Sequence, residues 1–145
     1  MAKIGVFNEA PQKYIQFDED TEILLRYVDK EELAGLIRKA NEISQKLKTQ
    51  QNMAYDMFLG KKAVLGWRNI KDHNHPGLLL PGGEPISFTP ENRNMLMTKS
   101  RDFSEFVFQK CTDASLFLAS APEELVDGTT LEKLLEDMGD DESKN

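Results

Sequence analysis

An irregular stretch at the centre of the chain, from Ala63 to Asn92, most constrains the fold. It holds the only tryptophan and both histidines, and the turn-forming sequences His-Pro-Gly at 75–77 and Pro-Gly-Gly at 81–83 interrupt it. Helical patterns lead into this stretch and out of it. We therefore expect two helical parts joined by a long central loop that begins at Trp67.

The first helical part begins after Asp29. This residue can act as an N-cap, and Glu32 stands three residues later, where a capping box requires an acid or an amide. Apolar residues then recur at intervals of three and four positions, at Leu33, Leu36, Ile37, Ala40, Ile43 and Leu47. The pattern resumes further along the chain, which leaves open either a second helix from about Asn52 or one helix over 30–65. In both cases Gly66 is the natural C-terminal position.

The second helical part begins at Thr89 and Pro90, a good N-cap followed by the residue preferred in the first turn. This helix should end near Lys99, and Ser100 or Asp102 can cap the next one. The apolar face of that next helix comprises Phe103, Phe106, Val107, Phe108, Cys111, Ala114, Leu116, Phe117 and Leu118. Because this face is so wide, we expect this helix to be the most buried element of the fold. It should run as one helix and end before Pro122.

Two short segments favour extended structure. Side chains at 13–17 alternate between two faces, and 22–28 is rich in strand-favouring residues; an acidic turn at 18–20 separates the two segments. They predict a β-hairpin, which must pack on helices because an isolated hairpin is marginal in water. The expected fold is mainly α (α+β): a bundle of about four to five helices with a short N-terminal hairpin and the long central loop. Residues 1–121 would form a single globular domain.

Residues 122–145 carry the whole charge excess of the chain. They hold nine acidic and two basic residues, which leaves 16 of each sign in residues 1–121. A weak helical pattern follows Thr129 or Thr130, with apolar residues at Leu131, Leu134, Leu135 and Met138. Beyond Gly139 we expect disorder. This acidic tail is either a solubilising extension or a partner-binding segment, and it argues against nucleic acid as a partner.

Neither a membrane nor a nucleic acid is indicated as a partner. The N-terminal residues do not resemble a signal peptide, and no apolar run approaches the ~18 residues of a membrane span. Lys61, Lys62 and Arg68 are too few for a nucleic-acid surface. With one cysteine and no export signal, the expected location is the cytoplasm.

Candidate catalytic or metal-binding residues are sparse. Asp72, His73 and His75 could begin a metal site, but only Cys111 or a distant carboxylate could complete it, and the same residues suit a solvated turn. Cys111 lies on an apolar helix face, where an inert buried thiol is expected. The sequence Pro-Gly-Gly-Glu-Pro at 81–85 lacks the spacing of a phosphate loop. We therefore expect a protein that is not an enzyme and needs no cofactor.

Two groups of apolar residues are candidates for a partner surface. Leu78, Leu79 and Leu80 lie between turn signals and form either a short buried strand or an exposed docking patch. Met53 and Met57 either fill gaps in the core or belong to an adaptable surface. If the central stretch binds a partner, the insertion from Lys71 to Glu84 is the better candidate, and self-association is also open.

The central stretch resembles a specific family. Ala-Val-Leu-Gly-Trp-Arg-Asn-Ile at 63–70, a variable loop, and Pro-Ile-Ser-Phe-Thr-Pro-Glu-Asn at 85–92 look like the signature of tail assembly chaperones of long-tailed bacteriophages and prophages. In that family a helix ends in an apolar-Gly-Trp segment, and a Pro-Ile-x-Phe segment caps the next helix after a loop. The loop is longer here. The matching positions, which we expect to be core anchors, are Gly66, Trp67, Ile70, Pro85, Ile86, Phe88, Thr89 and Pro90.

The resemblance implies a non-enzymatic protein of the host bacterial cytoplasm. Such chaperones bind the long, helical tape measure protein, help the tail tube protein to assemble around it, and are absent from the finished virion. In many phages a longer form arises by translational frameshifting. The alternative function is a structural component, such as a head–tail or tail protein that stays in the particle, and the remote alternative is a metal-binding protein that uses His73 and His75.

Overall fold

A three-stranded antiparallel sheet supports the fold in the computed structural model, which describes residues 2–48 and 51–118. The strands are β1 (Gln12–Gln16), β2 (Thr21–Arg26) and β3 (Val64–Asn69), in the order β1-β2-β3. The predicted N-terminal hairpin is confirmed as the antiparallel pair β1 and β2. The protein is thus of the mixed α+β class.

The third strand corrects the prediction of a helix that ends at Gly66 and a loop that begins at Trp67. The helix ends at Ala63, and Gly66 lies within β3 opposite Leu24. Val64 and Trp67 favour extended structure. Pairing with β2 satisfies their backbone groups and places Val64 and Trp67 in the core, so a tertiary contact overrides the helical period.

One row of side chains crosses the sheet on its buried face. Ile15 lies opposite Ile23, and Ile23 lies opposite Trp67. A bulge between Leu24 and Leu25 shifts the register, so that Leu25 faces Val64 and both are buried. The shift keeps the inward face of β3 apolar along most of its length.

Two helices separate β2 from β3, α1 (Lys30–Leu47) and α2 (Gln51–Ala63). The alternative of two helices is therefore the correct one. The predicted capping box is confirmed: the Glu32 amide donates to Asp29 Oδ1 at 2.7 Å, and the Asp29 amide donates to Glu32 Oε1 at 3.1 Å. Lys48 ends α1 in the left-handed conformation, with φ of 54°.

The second half contains α3 (Pro90–Lys99) and α4 (Arg101–Cys111), capped by Thr89 and Ser100 as predicted. The expectation of one unbroken helix after Ser100 is wrong, because a fifth helix starts at residue 114 and continues to 118, the last residue described. Asp113 explains the break, since its Oδ1 accepts hydrogen bonds from the amide and hydroxyl of Ser115 at 3.0 and 2.5 Å.

The central segment between β3 and α3 is held by hydrogen bonds rather than left open. A small hairpin pairs β4 (Leu78–Leu79) with β5 (Pro85–Ile86). The Trp67 indole Nε1 donates to the Ile86 carbonyl at 2.8 Å. Gly77 has φ of 100°, and a Cβ there would lie 2.9 Å from the Arg68 carbonyl carbon and oxygen, so only glycine fits.

The buried apolar residues form one core cluster between the sheet and the helices. Phe103 of α4 lies 6.0 Å from both Trp67 and Phe17, measured between ring centroids. The proposed domain boundary at 121 and the acidic tail at 122–145 lie outside the described residues. Within the described ranges, no helix combines the length and apolar character that a membrane crossing requires.

Replacing Trp67 by Phe should destabilise the protein by about 2 kcal/mol, because the Ile86 carbonyl loses its buried donor and the core loses volume. Urea unfolding of the variant measures this. Ile70→Val is the control within the same motif, and it should cost less than about 0.5 kcal/mol because Ile70 is 38% exposed. Equal destabilisation by both changes would show that Trp67 is not the anchor.

Candidate protein-binding groove

An open apolar groove lies where α1, α2 and α4 meet. Its volume is about 640 Å³. Leu33 and Ile37 line it from α1, Tyr55 and Asp56 from α2, and Ser104, Glu105, Phe108 and Gln109 from α4. We call it the α1–α2–α4 groove.

The groove exists because two helices carry more apolar residues than their packing can cover. On α1 the predicted stripe turns Leu36 and Ala40 into the core, whereas Ile37 stays 42% exposed. On α4 we expected Phe108 to widen the buried face, but it is 41% exposed. Large apolar side chains exposed next to each other are typical of binding surfaces.

This groove was not predicted from the sequence, although the residues that line it showed a signal. Ile37 and Phe108 were placed on apolar stripes and assigned to the core. The apolar stripes of α1 and α4 are wider than the faces that these helices bury, because Ile37 and Phe108 remain exposed beside the buried positions. Ile37 and Phe108 are apolar positions beyond those that the core needs. They line one groove only because of how the helices are arranged, and that arrangement cannot be predicted from the sequence alone.

Acidic and hydroxyl groups border the apolar floor. Burial raises the pKa of the Asp56 carboxyl above its ordinary value of 3.8. Within residues 2–48 and 51–118, neither Asp56 nor Glu105 forms an ion pair. Burial raises the pKa of Tyr55 to about 12, with smaller contributions from Cys111 and Asp56, so the Tyr55 hydroxyl is neutral at pH 7.

This arrangement suits a helix that brings apolar side chains and cations. An amphipathic helix places residues i, i+3, i+4 and i+7 in such a groove. Lys or Arg at its flanks would meet Asp56 and Glu105, which lack cationic partners in the described part of the chain.

The structure does not gather the predicted partner surface into one place. Leu78 is buried, whereas Leu79 is 56% exposed and Leu80 is exposed beside it on the β4–β5 hairpin. Met53 and Met57 are exposed on α2. Met57 lines a different groove, which it shares with residues of α2 and α3 rather than with the leucines.

The positions that carry the family resemblance are divided between core and surface. Trp67 and Ile86 are buried, and Phe88 packs edge-on against Trp67 with 4.9 Å between ring centroids. Ile70, Pro85 and Pro90 are exposed, so the expectation that these three positions anchor the core is wrong. Gly66 lies in β3, Thr89 caps α3, and Pro90 is the first residue of that helix.

The insertion from Lys71 to Glu84 consists of turns on either side of the short strand β4. Asn69 Oδ1 accepts from the amides of Lys71 and Asp72 at 2.9 and 3.0 Å. His75 Nδ1 accepts from the Gly77 amide at 2.9 Å, which occupies one of its ring nitrogens. Throughout the described ranges, no three His, Cys, Asp or Glu residues are grouped as metal ligands would be.

Cys111 has the environment of a structural thiol. It is fully buried, and burial raises the pKa of its thiol to about 12. At neutral pH the group is therefore protonated and a poor nucleophile. The sequence-based interpretation of Cys111 as a buried, inert residue agrees with this environment.

Comparison of the chain with models of protein families, with curated proteins and with solved structures gives no match.

Asp56→Asn should stabilise the protein above the raised pKa of the carboxyl and have no such effect below about pH 3.8. A folded-state pKa above the unfolded one contributes stability at low pH, which is lost as pH rises through the folded value. Thermal unfolding of both proteins from pH 3 to 8 measures the difference. Glu105→Gln, which removes a charge from the exposed rim of the groove, controls for charge loss alone. A difference that does not change with pH would contradict the assignment.

Proposed function

We propose that this protein is a non-enzymatic assembly chaperone that holds a helical client segment in the α1–α2–α4 groove. The observation that carries the proposal is the juxtaposition of half-exposed Ile37 and Phe108 over a floor that also includes Leu33 and Tyr55. Association through such surfaces is driven by removal of apolar area from water. The client is an amphipathic helix whose apolar stripe is flanked by Lys or Arg.

The charge at the groove supports this choice of client. Asp56 is partly buried without a cation beside it in the described part of the chain, a cost that a basic client residue would relieve. Rim charges of one sign also discourage two copies of this chain from using the same groove on each other. A chaperone whose groove is not occupied by a second copy of itself can bind its client.

The motif resemblance supplies the more specific identity. On this proposal the client is the tape measure protein, and the chaperone assists assembly of the tail tube around it in the host cytoplasm, with no nucleic acid or membrane as partner. The Pro-Ile-x-Phe segment does precede the capped helix α3, as in the family. The apolar-Gly-Trp segment differs, because here it is a strand that follows the end of α2.

We infer that the domain works as a mainly α protein in which the helices, grouped as a bundle, present the client surface. The sheet and the Trp67 anchor then serve to hold α4 in position against α1 and α2.

Exchanging the groove residues for polar ones should abolish client binding without unfolding the protein. Ile37→Ser and Phe108→Ser should each weaken co-purification with the co-expressed tape measure protein by about tenfold or more, because exposed apolar residues at a groove centre act as hot spots. Leu79→Ser is the matched control, since Leu79 is at least as exposed but lies on the β4–β5 hairpin.

Loss of binding in Leu79→Ser with retention in both groove variants would overturn the proposed site. Absence of any complex with the wild-type chain would overturn the chaperone function itself. Mass spectrometry of purified particles separates the structural alternative, because a chaperone is expected to be missing from them.

A further inference from the structure

A second groove, between α2 and α3, carries charge of the opposite sign. Its volume is about 470 Å³, and we call it the α2–α3 groove. Its lining residues are Met57, Phe58 and Lys61 from α2 and Pro90, Arg93 and Asn94 from α3. Met57 is exposed and Phe58 is only half-buried, so apolar surface is open to solvent here as well.

Three cations surround this apolar floor. Lys61 and Arg93 line the groove, and Lys39 Nζ lies 5.1 Å from the centroid of the Phe58 ring. In the part of the chain that the structure describes, no carboxylate forms an ion pair with any of the three. The Arg93 guanidinium donates to the neutral Asn94 Oδ1 at 3.4 Å. The groove therefore offers apolar contact beside positive charge that is not neutralised.

The sequence after Leu118, outside the described residues, has the complementary chemistry. Its apolar positions follow a helical spacing of i, i+3, i+4 and i+7, at Leu131, Leu134, Leu135 and Met138. Its acidic residues flank and follow them: Glu132, Glu136, Asp137, Asp140, Asp141 and Glu142. Lys133 is the only base among residues 130–142.

We propose that segment 130–142 of this chain binds in the α2–α3 groove. Its leucines and methionine cover the apolar floor, and its carboxylates lie beside Lys61 and Arg93. The segment is then an internal ligand for a surface of α2 that is distinct from the α1–α2–α4 groove.

Charge selects this groove over the α1–α2–α4 groove. Asp56 and Glu105 border the latter, and like charges brought together at an interface are unfavourable. Lys61 and Arg93 border the α2–α3 groove and attract the same segment. An acidic helix therefore binds favourably to the α2–α3 groove and unfavourably to the α1–α2–α4 groove.

The connecting chain is long enough for this contact. The last described residues are fixed near the sheet, where Lys13 Nζ donates to the Leu116 carbonyl at 3.3 Å. Residues 119–129 can extend over roughly 36 Å, more than twice the radius of gyration of about 13 Å expected for a domain of this size. Tethering also provides an effective concentration on the order of 1 mM, so even weak intrinsic affinity fills the groove.

Hydrogen exchange of the full-length chain tests the proposal. Amides at 131–138 should exchange about tenfold more slowly than in an unstructured chain, and Lys61→Glu with Arg93→Glu should remove that protection. Lys3→Glu with Lys46→Glu is the control, since it makes the same change in net charge at exposed positions elsewhere. Adding Glu132→Lys with Glu136→Lys to the first double variant should restore protection, because the signs are then exchanged.

Three results would overturn the proposal. The first is an unprotected segment in the wild-type chain. The second is protection that survives Lys61→Glu with Arg93→Glu, which would place the segment elsewhere. The third is protection that disappears on dilution, which would mean binding between copies. No client takes part in this experiment, so its outcome is independent of the proposed chaperone function.

Discussion

The buried side chain of Trp67 connects several elements of the fold, and its indole Nε1 donates a hydrogen bond to the Ile86 carbonyl of β5. Trp67 lies in the row that crosses the sheet, and its ring also contacts Phe88, before α3, and Phe103, on α4. A single side chain therefore fixes the sheet, the β4–β5 hairpin and the fourth helix relative to one another. The position of α4 in turn determines whether Phe108 lines the same groove as Ile37.

The two grooves give α2 two roles. Tyr55 and Asp56 belong to the groove with an acidic rim, and Met57, Phe58 and Lys61 to the groove with a basic rim. Because the two surfaces of α2 carry opposite charge, each can bind its own segment and discriminate against the other. On our account, a basic client helix occupies one side and the chain's own acidic segment the other.

Local signals were predictable from the sequence, and long-range ones were not. The Asp29 capping box and the Thr89 and Ser100 caps depend on residues three positions apart, so they could be located correctly. The third strand, Val64–Asn69, depends on a partner strand some forty residues earlier, and the helical period of the preceding segment concealed it. The α1–α2–α4 groove was missed for the same reason, because Ile37 and Phe108 meet only in the folded chain.

Photo-crosslinking in cells shows which surface of the protein touches the client. A crosslinking phenylalanine analogue at position 108 keeps the ring of Phe108 in the α1–α2–α4 groove, and one at position 79 reports from the β4–β5 hairpin. With the tape measure protein co-expressed, the account predicts a covalent product with that client from position 108 and none from position 79. Crosslinking from position 79 alone would contradict it.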